Sequence, residues 1–467
     1  MIGSTRKSAN SESKRPPDNG RRDNGTCGQW SVVSSRRLSR FSRYGGLLAG
    51  VLFTGSSARA QDALFSALGL DAALGQHNAG NSPAGGLQPP PPSHLGPLNY
   101  TLGASVGVEG NDNINYSPEA TESDTILHAG LNLGLVWPAT TQSELSFNMG
   151  AGYLKYLEFT RNDQFQINPG SALNWRIAFE DASLTFFDQF SDSQAVVTEA
   201  SVSGVSTLPR IDNAVGLRAE WDPGRWLLAL GYSHDLYFSD DASYQYLNRS
   251  SEYFFVRAAR RLVEDTQLGV EASASVTTYE EAIQSNYTSY SLGPYLTWQL
   301  THFLNVSARG GYTIYAFDAN AQGQAAQNLG SYYVSLQLTQ QLTDYLSQSL
   351  SVARSISPGF NQGDNYTQQL TANYSVNWQA TDHLGLRLSL TYEDGTQPLS
   401  SVIATPAGPR FFSRTEDYSR VGISPAISYQ ITSKLAGSLV YSHWERTSNF
   451  SYHYQDNDVS LQLNYAF

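Results

Sequence analysis

From Leu98 to Phe467 the chain repeats one pattern: segments of roughly 10–15 residues in which apolar side chains fall on every second position. The last nine residues, VSLQLNYAF, put Val459, Leu461, Leu463, Tyr465 and Phe467 on one parity and Ser460, Gln462, Asn464 and Ala466 on the other. A strand sends alternate side chains to opposite faces, so each segment predicts a strand with one greasy and one polar face. Eighteen such segments are counted, at 98–110, 123–137, 143–157, 167–179, 182–193, 210–222, 225–238, 250–263, 266–279, 286–300, 303–317, 327–341, 345–357, 365–380, 383–394, 414–431, 434–447 and 452–467. No 18-residue apolar run interrupts them, so the pattern predicts no helical membrane span.

The connections sort into two kinds. Every second one is a tight turn: 138–142, 180–181, 223–224, 264–265, 301–302, 343–344, 381–382 and 432–433. The others are longer and polar, at 111–122, 158–166, 194–209, 239–249, 280–285, 318–326, 358–364, 395–413 and 448–451. Short turns at one end and long loops at the other are the asymmetry of outer-membrane barrels, whose short turns are periplasmic. The predicted fold is therefore all-β, a transmembrane antiparallel up-and-down barrel of about 18 strands, with 16 as the fallback if the weakly alternating 182–193 and 250–263 are misread.

Tryptophan placement agrees. Trp137, Trp175, Trp221, Trp226, Trp298 and Trp378 lie beside short turns, and Trp444 alone lies toward a long loop. An indole favours the membrane–water interface, so six on one rim predict a periplasmic girdle. Tyr237, Tyr244, Tyr246, Tyr287 and Tyr290 would form the outer one. A soluble β-sandwich explains the alternation but not this sorting. By the same parity Leu384, Leu386, Leu388, Leu390, Leu268 and Val270 face lipid, and Arg387 and Glu271 face the lumen.

The first 60 residues differ. They carry eleven Lys/Arg and three acids, then the apolar run Gly45–Phe53 and an Ala58-Arg59-Ala60 site. Basic, apolar and A-x-A regions in that order predict a secretory signal peptide; a nucleic-acid-binding arm is the competing reading of the basic residues. Subtracting the leader from 29 basic and 41 acidic residues leaves 18 and 38, a net charge of −20. Cys27, the one cysteine, leaves with it, so no disulfide or thiolate chemistry is expected. So acidic an exported chain argues against nucleic acid as a partner. Residues 61–97 end in a four-proline run, Pro89–Pro92, and read as a periplasmic tether or as a segment that plugs the barrel or docks on a partner.

An 18-strand barrel is wide enough for an aqueous channel. Inward parity selects Arg176, Arg218, Arg257, Arg309 and Arg387 against Glu109, Glu220, Asp235, Glu271 and Glu393, five of each sign. A mixed lining selects weakly between anions and cations. Inward aromatics are Phe187, Phe255, Tyr295, Tyr315 and Tyr333, which either stack on sugar rings or simply fill the lumen. Loop 194–209, unusually apolar for an exposed segment, is the candidate constriction, with Glu199 near the eyelet; loop 395–413 is the alternative lid. Catalytic chemistry is not in view. No histidine has a serine two residues on, Asp382-His383 sits at a short turn, and His234-Asp235 face opposite ways. No metal-ligand cluster or cofactor motif is visible, so neither an enzyme nor a cofactor is expected.

The carboxy-terminal strand ending in Phe467 resembles the last strand of bacterial outer-membrane barrels. That resemblance implies Phe467 as an assembly signal read by the barrel-assembly machinery. The first strand pair, LGASVGVEGNDNINYSPEATESDTILHAGLNLGLVWP, has an alternating strand ending in an acid, the cluster Asn111-Asp112-Asn113, then Ser123-Asp124 opening the next strand. It resembles the β-barrel porin family found beside exopolysaccharide-synthesis loci in Gram-negative bacteria. The resemblance spans Leu98–Phe467 and implies an outer-membrane channel for hydrophilic solutes, saccharides or exported polysaccharide first, with polysaccharide-export proteins as partners. A general diffusion porin and a closed structural or adhesive barrel are the alternatives, and the oligomeric state stays open. The alginate-export barrel is a structural analogue with a strongly basic lumen, from which this mixed lining departs.

Overall fold

The computed structural model describes residues 92–467 except 197–198, 264, 320–327, 363–364, 406–407 and 451, with only the backbone of the rest of 400–413. The expected signal peptide and nearly all of 61–97 lie outside the described residues. The strands are β1 (Ser93–Leu95), β2 (Leu98–Asn111), β3 (Asp124–Thr140), β4 (Ser143–Tyr156), β5 (Gln164–Ala178), β6 (Ala182–Ser193), β7 (Arg210–Trp221), β8 (Trp226–Phe238), β9 (Arg249–Val263), β10 (Thr266–Tyr279), β11 (Tyr287–Thr301), β12 (Leu304–Phe317), β13 (Leu329–Thr343), β14 (Leu346–Ser357), β15 (Thr367–Gln379), β16 (Leu384–Thr405), β17 (Gly408–Gln430), β18 (Leu435–Ser448) and β19 (Tyr454–Ala466).

Strands β2 to β19 pair antiparallel in chain order, and β19 closes on β2 from Ala466↔Gly103 to Asp458↔Asn111. The barrel thus has 18 strands and no open edge, the arrangement a membrane demands of a sheet. The short β1 covers Leu98–Tyr100, the stretch of β2 that β19 does not reach.

The expectation of an irregular loop at 395–413 fails. Strands β16 and β17 instead run on past the rim as a paired hairpin, from Thr396↔Asp417 to Thr405↔Gly408. Gly395, Pro398, Pro406 and Pro409 read as loop signals, but the β-prone residues among and just after them, Val402, Ile403, Phe411 and Phe412, keep the ladder going.

Four of the short turns are copies of one cassette, Gln-x-Thr-x-x-Leu, at 299–304, 341–346, 379–384 and 430–435. In each, the threonine Oγ1 accepts the backbone N–H two residues on, from Phe303, Tyr345, His383 or Lys434, at 3.2–3.3 Å. A hydroxyl that captures its own chain in this way fixes a tight turn.

The exterior is a lipid-facing belt. Leu131, Leu230, Val270 and Leu461 stand exposed between two aromatic rims. At the short-turn end Trp137, Trp175, Trp221, Trp226, Trp298 and Trp378 are exposed; at the other end Tyr153, Tyr290, Tyr312, Tyr332, Tyr392 and Tyr441 are. An apolar band between aromatic girdles is the surface of an outer-membrane barrel. The outer girdle differs from expectation: of the five expected tyrosines only Tyr290 points out, while Tyr246 and Tyr287 are buried and Tyr237 and Tyr244 pack against buried side chains of the outer mouth. Trp444 has the inward parity of Arg446, so it belongs to the lumen; a Cβ on Gly422 would touch its ring.

Candidate functional site: the lumen and its outer mouth

Inward side chains pair across strands, and the register decides which. One row reads Arg257, Glu271, Gly293, Gly311, Tyr333 on β9 to β13. Tyr333 lies across the two glycines, and its hydroxyl donates to Glu271 Oε1 (3.3 Å), while Arg257 Nη2 donates to Oε2 (2.9 Å). A Cβ on Gly293 would come within 2.6 Å of the Tyr333 hydroxyl and 2.0 Å of Gly310 O, so glycine is required there. The Arg257 guanidinium also sits 4.3 Å from the Tyr295 ring centroid, a cation–π contact.

A second network lies on β15 to β18. Glu393 accepts from Arg420 Nη2 (2.5 Å) and Gln369 Nε2 (3.0 Å). Glu416 accepts from Arg446 Nη2 (2.9 Å), Gln397 Nε2 (2.7 Å) and Ser448 Oγ (2.6 Å). Burying ion pairs carries a desolvation cost, offset only where further hydrogen bonds satisfy the remaining lone pairs. Both carboxylates meet that condition.

This second network holds segment 194–209. The segment leaves β6 at Ser193 and returns to β7 at Arg210, whose Nη1 donates to Ala195 O (2.9 Å) and Leu208 O (3.4 Å) and ties the two legs. At its tip Ala200 O accepts from Arg446 Nε (2.8 Å) and Ser201 O accepts from Gln397 Nε2 (3.0 Å). Both donors are buried inward side chains, and β16 stands nine strands from β7, half of the 18-strand ring. The segment therefore crosses the barrel and is held by the opposite wall.

Four other loops meet it there. Val196, Val202 and Leu208 pack with Tyr246 and Leu247, edged by Tyr116, Ile283 and Phe360. Gly204 N–H donates to Tyr116 O (2.9 Å), and the Tyr244 and Tyr246 hydroxyls donate to Thr207 O (3.1 Å) and Phe360 O (2.8 Å). Each buried Val or Leu contributes about 1.5–3 kcal/mol, so the apolar contacts hold this plug at least as firmly as its polar ties. Burial pushes the Tyr116 phenol well above its ordinary range and raises Tyr244. Both therefore remain neutral phenols, Tyr244 as the donor to Thr207 O. Nearer the rim, the hydrogen bond from Lys155 holds Asp163 below the usual carboxylate range.

The residues singled out from sequence fall as follows. Arg218 pairs with Glu220, and Arg257 with Glu271. Arg309 is buried beside its cross-strand neighbour Tyr295. Arg387 Nε donates to Ser389 Oγ (3.2 Å), and Arg176 lies across from Glu144 and Thr185 near the short turns. Glu109 pairs with His128 at 2.9 Å. Glu199 forms the turn before the tip, its N–H donating to Val196 O (2.8 Å). Tyr295 and Tyr315 are covered, at 2% and 6% exposure, so neither presents a free ring face to a solute. Tyr315 instead packs on Tyr287 and Phe317. Phe467 donates its N–H to Leu102 O (2.9 Å) and leaves its ring exposed.

Sequence reasoning missed Arg446, Glu416, Gln397, Arg420 and Tyr116. A signal existed: three of the five, Glu416, Arg420 and Arg446, are charged residues of inward parity on the strands that flank the long connections 395–413 and 448–451. Among the described residues no group of three or more His, Cys, Asp or Glu side chains is placed to hold a metal ion.

No family model matches the sequence, and no curated protein matches it either. Among solved structures, Pseudomonas aeruginosa OpdL is 12% identical with a TM-score of 0.43, covering 80% of this chain and 99% of its own. Pseudomonas aeruginosa OccK2 (OpdF) is 12% identical with a TM-score of 0.44, covering 80% and 98%. Acinetobacter baumannii OccAB4 is 10% identical with a TM-score of 0.42, covering 79% and 98%. At these values the likeness adds nothing to what the strand topology states.

Proposed function

We propose that this chain is an outer-membrane channel for hydrophilic solutes whose outer mouth is constricted by segment 194–209. The observation that carries the reading is the crossing itself, a loop from β6–β7 hydrogen-bonded to inward side chains of β16 and β18. Eighteen strands leave room for an aqueous path unless something fills it. A purely structural barrel has no evident need for a loop tied across its lumen.

The cargo class we propose is neutral and hydroxyl-rich, saccharides first. The lumen charges are largely spent on one another, as in Arg257–Glu271, Arg420–Glu393 and Arg446–Glu416. What the wall then offers is hydroxyls and amides. Ser349, Ser375, Ser389 and Ser424 lie opposite one another on four successive strands, and Ser424 bonds Ser442 on the next at 3.1 Å. This hydroxyl lane, rather than the covered aromatics, supports the saccharide reading. Polysaccharide-export proteins and the barrel-assembly machinery remain its proposed partners.

Planar-bilayer recording tests the reading. Current is expected from the protein, and more of it once 194–209 is deleted. Absence of current even after removal of 61–97 and 194–209 would leave the structural or adhesive barrel. Current that no oligosaccharide blocks would leave the general diffusion porin.

A further inference from the structure

A crevice of about 370 Å³ opens at the long-loop end between the β2–β3 loop and the tip of the β18–β19 hairpin. Small-ligand pockets span roughly 300–1,000 Å³. Ser117, Pro118 and Thr121 line one wall, and Thr447, His453 and Tyr454 the other, with Arg446 also lining it. Asn113 straps the walls together, its Nδ2 donating to Ser117 O (3.0 Å) and Gln455 O (2.6 Å). The buried charge in the lining, Arg446, is matched by Glu416 at 2.9 Å, so the crevice keeps no unmatched buried cation for an anionic ligand. It offers hydroxyls, an imidazole, a proline ring and the exposed carboxylate of Glu445, an acceptor for hydroxyl groups that disfavours an anion, so the set suits a neutral, polyhydroxylated molecule.

Both walls also hold segment 194–209. From one wall, Tyr116 O accepts the Gly204 N–H at 2.9 Å. Tyr116 does this from the left-handed region, at φ 47, a conformation an aromatic residue keeps only where its surroundings impose it. Its ring meets Tyr454 of the other wall edge-on at 5.4 Å. From that wall, Arg446 donates Nε to Ala200 O (2.8 Å) and Nη1 to Tyr452 O, beside the crevice. A ligand that spreads or tightens the crevice therefore moves two of the groups that seat the plug.

We propose that this crevice is a binding site for a neutral sugar, of about disaccharide size, and that its occupancy controls the seating of segment 194–209. The binding claim stands alone; the control claim rests on the channel reading. A ligand shifts a conformational equilibrium only by its differential affinity for the two states. The geometry supplies the difference, since Arg446 lines the crevice and Tyr116 adjoins Ser117 in its wall, and both hold the segment.

The test uses the full-length protein in detergent and in planar bilayers, with maltose, lactose, cellobiose and diacetylchitobiose as probes. Binding is read by saturation-transfer NMR on wild type, Ser117→Trp, which fills the crevice, and His453→Ala, which widens it; heat-modifiable gel mobility verifies that each is folded. At least one disaccharide should bind wild type, and each variant should weaken it about tenfold, a shift of about 1.4 kcal/mol. If none binds, or the variants bind as wild type does, the site is refuted. With the bound sugar on the long-loop side, the opening frequency of wild type should change and that of Ser117→Trp should not. Crevice-dependent binding to a conducting barrel with no change in opening refutes the control claim. Crevice-dependent binding with no conductance under any condition refutes the channel reading and leaves the site.

Discussion

The double variant Arg446→Met/Glu416→Gln isolates the latch from the charge that sustains it. Arg446 donates to both Ala200 O and Glu416, and the two charged side chains are buried, at 0% and 1% side-chain exposure. Arg446→Met alone strips Glu416 of its ion partner, and breaking a buried pair from one side costs about 3–5 kcal/mol. That exceeds the roughly 1.5–3 kcal/mol of one hydrogen bond from a charged donor, so the single variant would report on Glu416 rather than on the plug. Glu416→Gln removes the stranded charge: its amide oxygen can still accept from Gln397, and its NH2 can donate to the Ser448 hydroxyl. The bond from Arg446 to Tyr452 O is lost whether the segment is seated or not, so what remains for the seated state is the lost Arg446–Ala200 bond, about 1.5–3 kcal/mol. At about 1.4 kcal/mol per decade, the seated-to-unseated ratio should fall roughly tenfold to 150-fold. The apolar packing of Val196, Val202 and Leu208 stays, so the loop loosens and does not leave. The readouts are the frequency of openings in bilayers and the rate of proteolytic cutting within 194–209. Both should rise in a barrel whose gel mobility still shifts on heating. Unchanged openings and unchanged cutting in such a barrel would refute the latch.

Three further outcomes follow from the wall. Leu461→Arg, on the lipid face, should cost about 2–4 kcal/mol near the bilayer midplane, whereas Gln462→Arg, one residue on and facing inward, should be tolerated; equal amounts of assembled protein from the two would refute the assigned faces. Gly293→Val should block assembly, because its side chain would meet Gly310 O and the Tyr333 hydroxyl, and a normal yield of heat-modifiable barrel would count against the glycine row. Deleting Phe467 should lower the amount reaching the outer membrane while leaving what does assemble as heat-resistant as wild type; undiminished assembly would remove its role as a signal.

Much of the wall was legible because a membrane makes parity a hard constraint. A one-residue slip in β19 would turn Leu461 inward and Gln462 into lipid, so alternation and register had to agree, and Asp458↔Asn111 to Ala466↔Gly103 shows that they do. The same constraint explains Trp444. Its height, toward a long loop, sets it apart from the other six, and its face, shared with Arg446, says why. The 395–413 reading failed at a point where the constraint lapses, since strands beyond the rim owe nothing to lipid and Gly and Pro signals there compete only with pairing. The site was far less legible. Ser201 and Gln397 are 196 residues apart, and Ala200 and Arg446 are 246 apart. No local period links positions that distant. Only closure of the 18-strand ring brings them face to face, so the apolar character of 194–209 could be read as a reason to bury it but not as an address. Parity likewise put Tyr295 and Tyr315 in the lumen, yet accessibility depends on neighbours two strands away, such as Arg257 over Tyr295 and Ile356, whose carbonyl accepts the Tyr315 hydroxyl at 3.3 Å. Inward direction is therefore a property of the strand, whereas availability to a solute is a property of the closed ring. That is why the buried charges Glu393, Arg420, Glu416 and Arg446 on β16, β17 and β18, rather than the central aromatics, are where substitution should first change what passes.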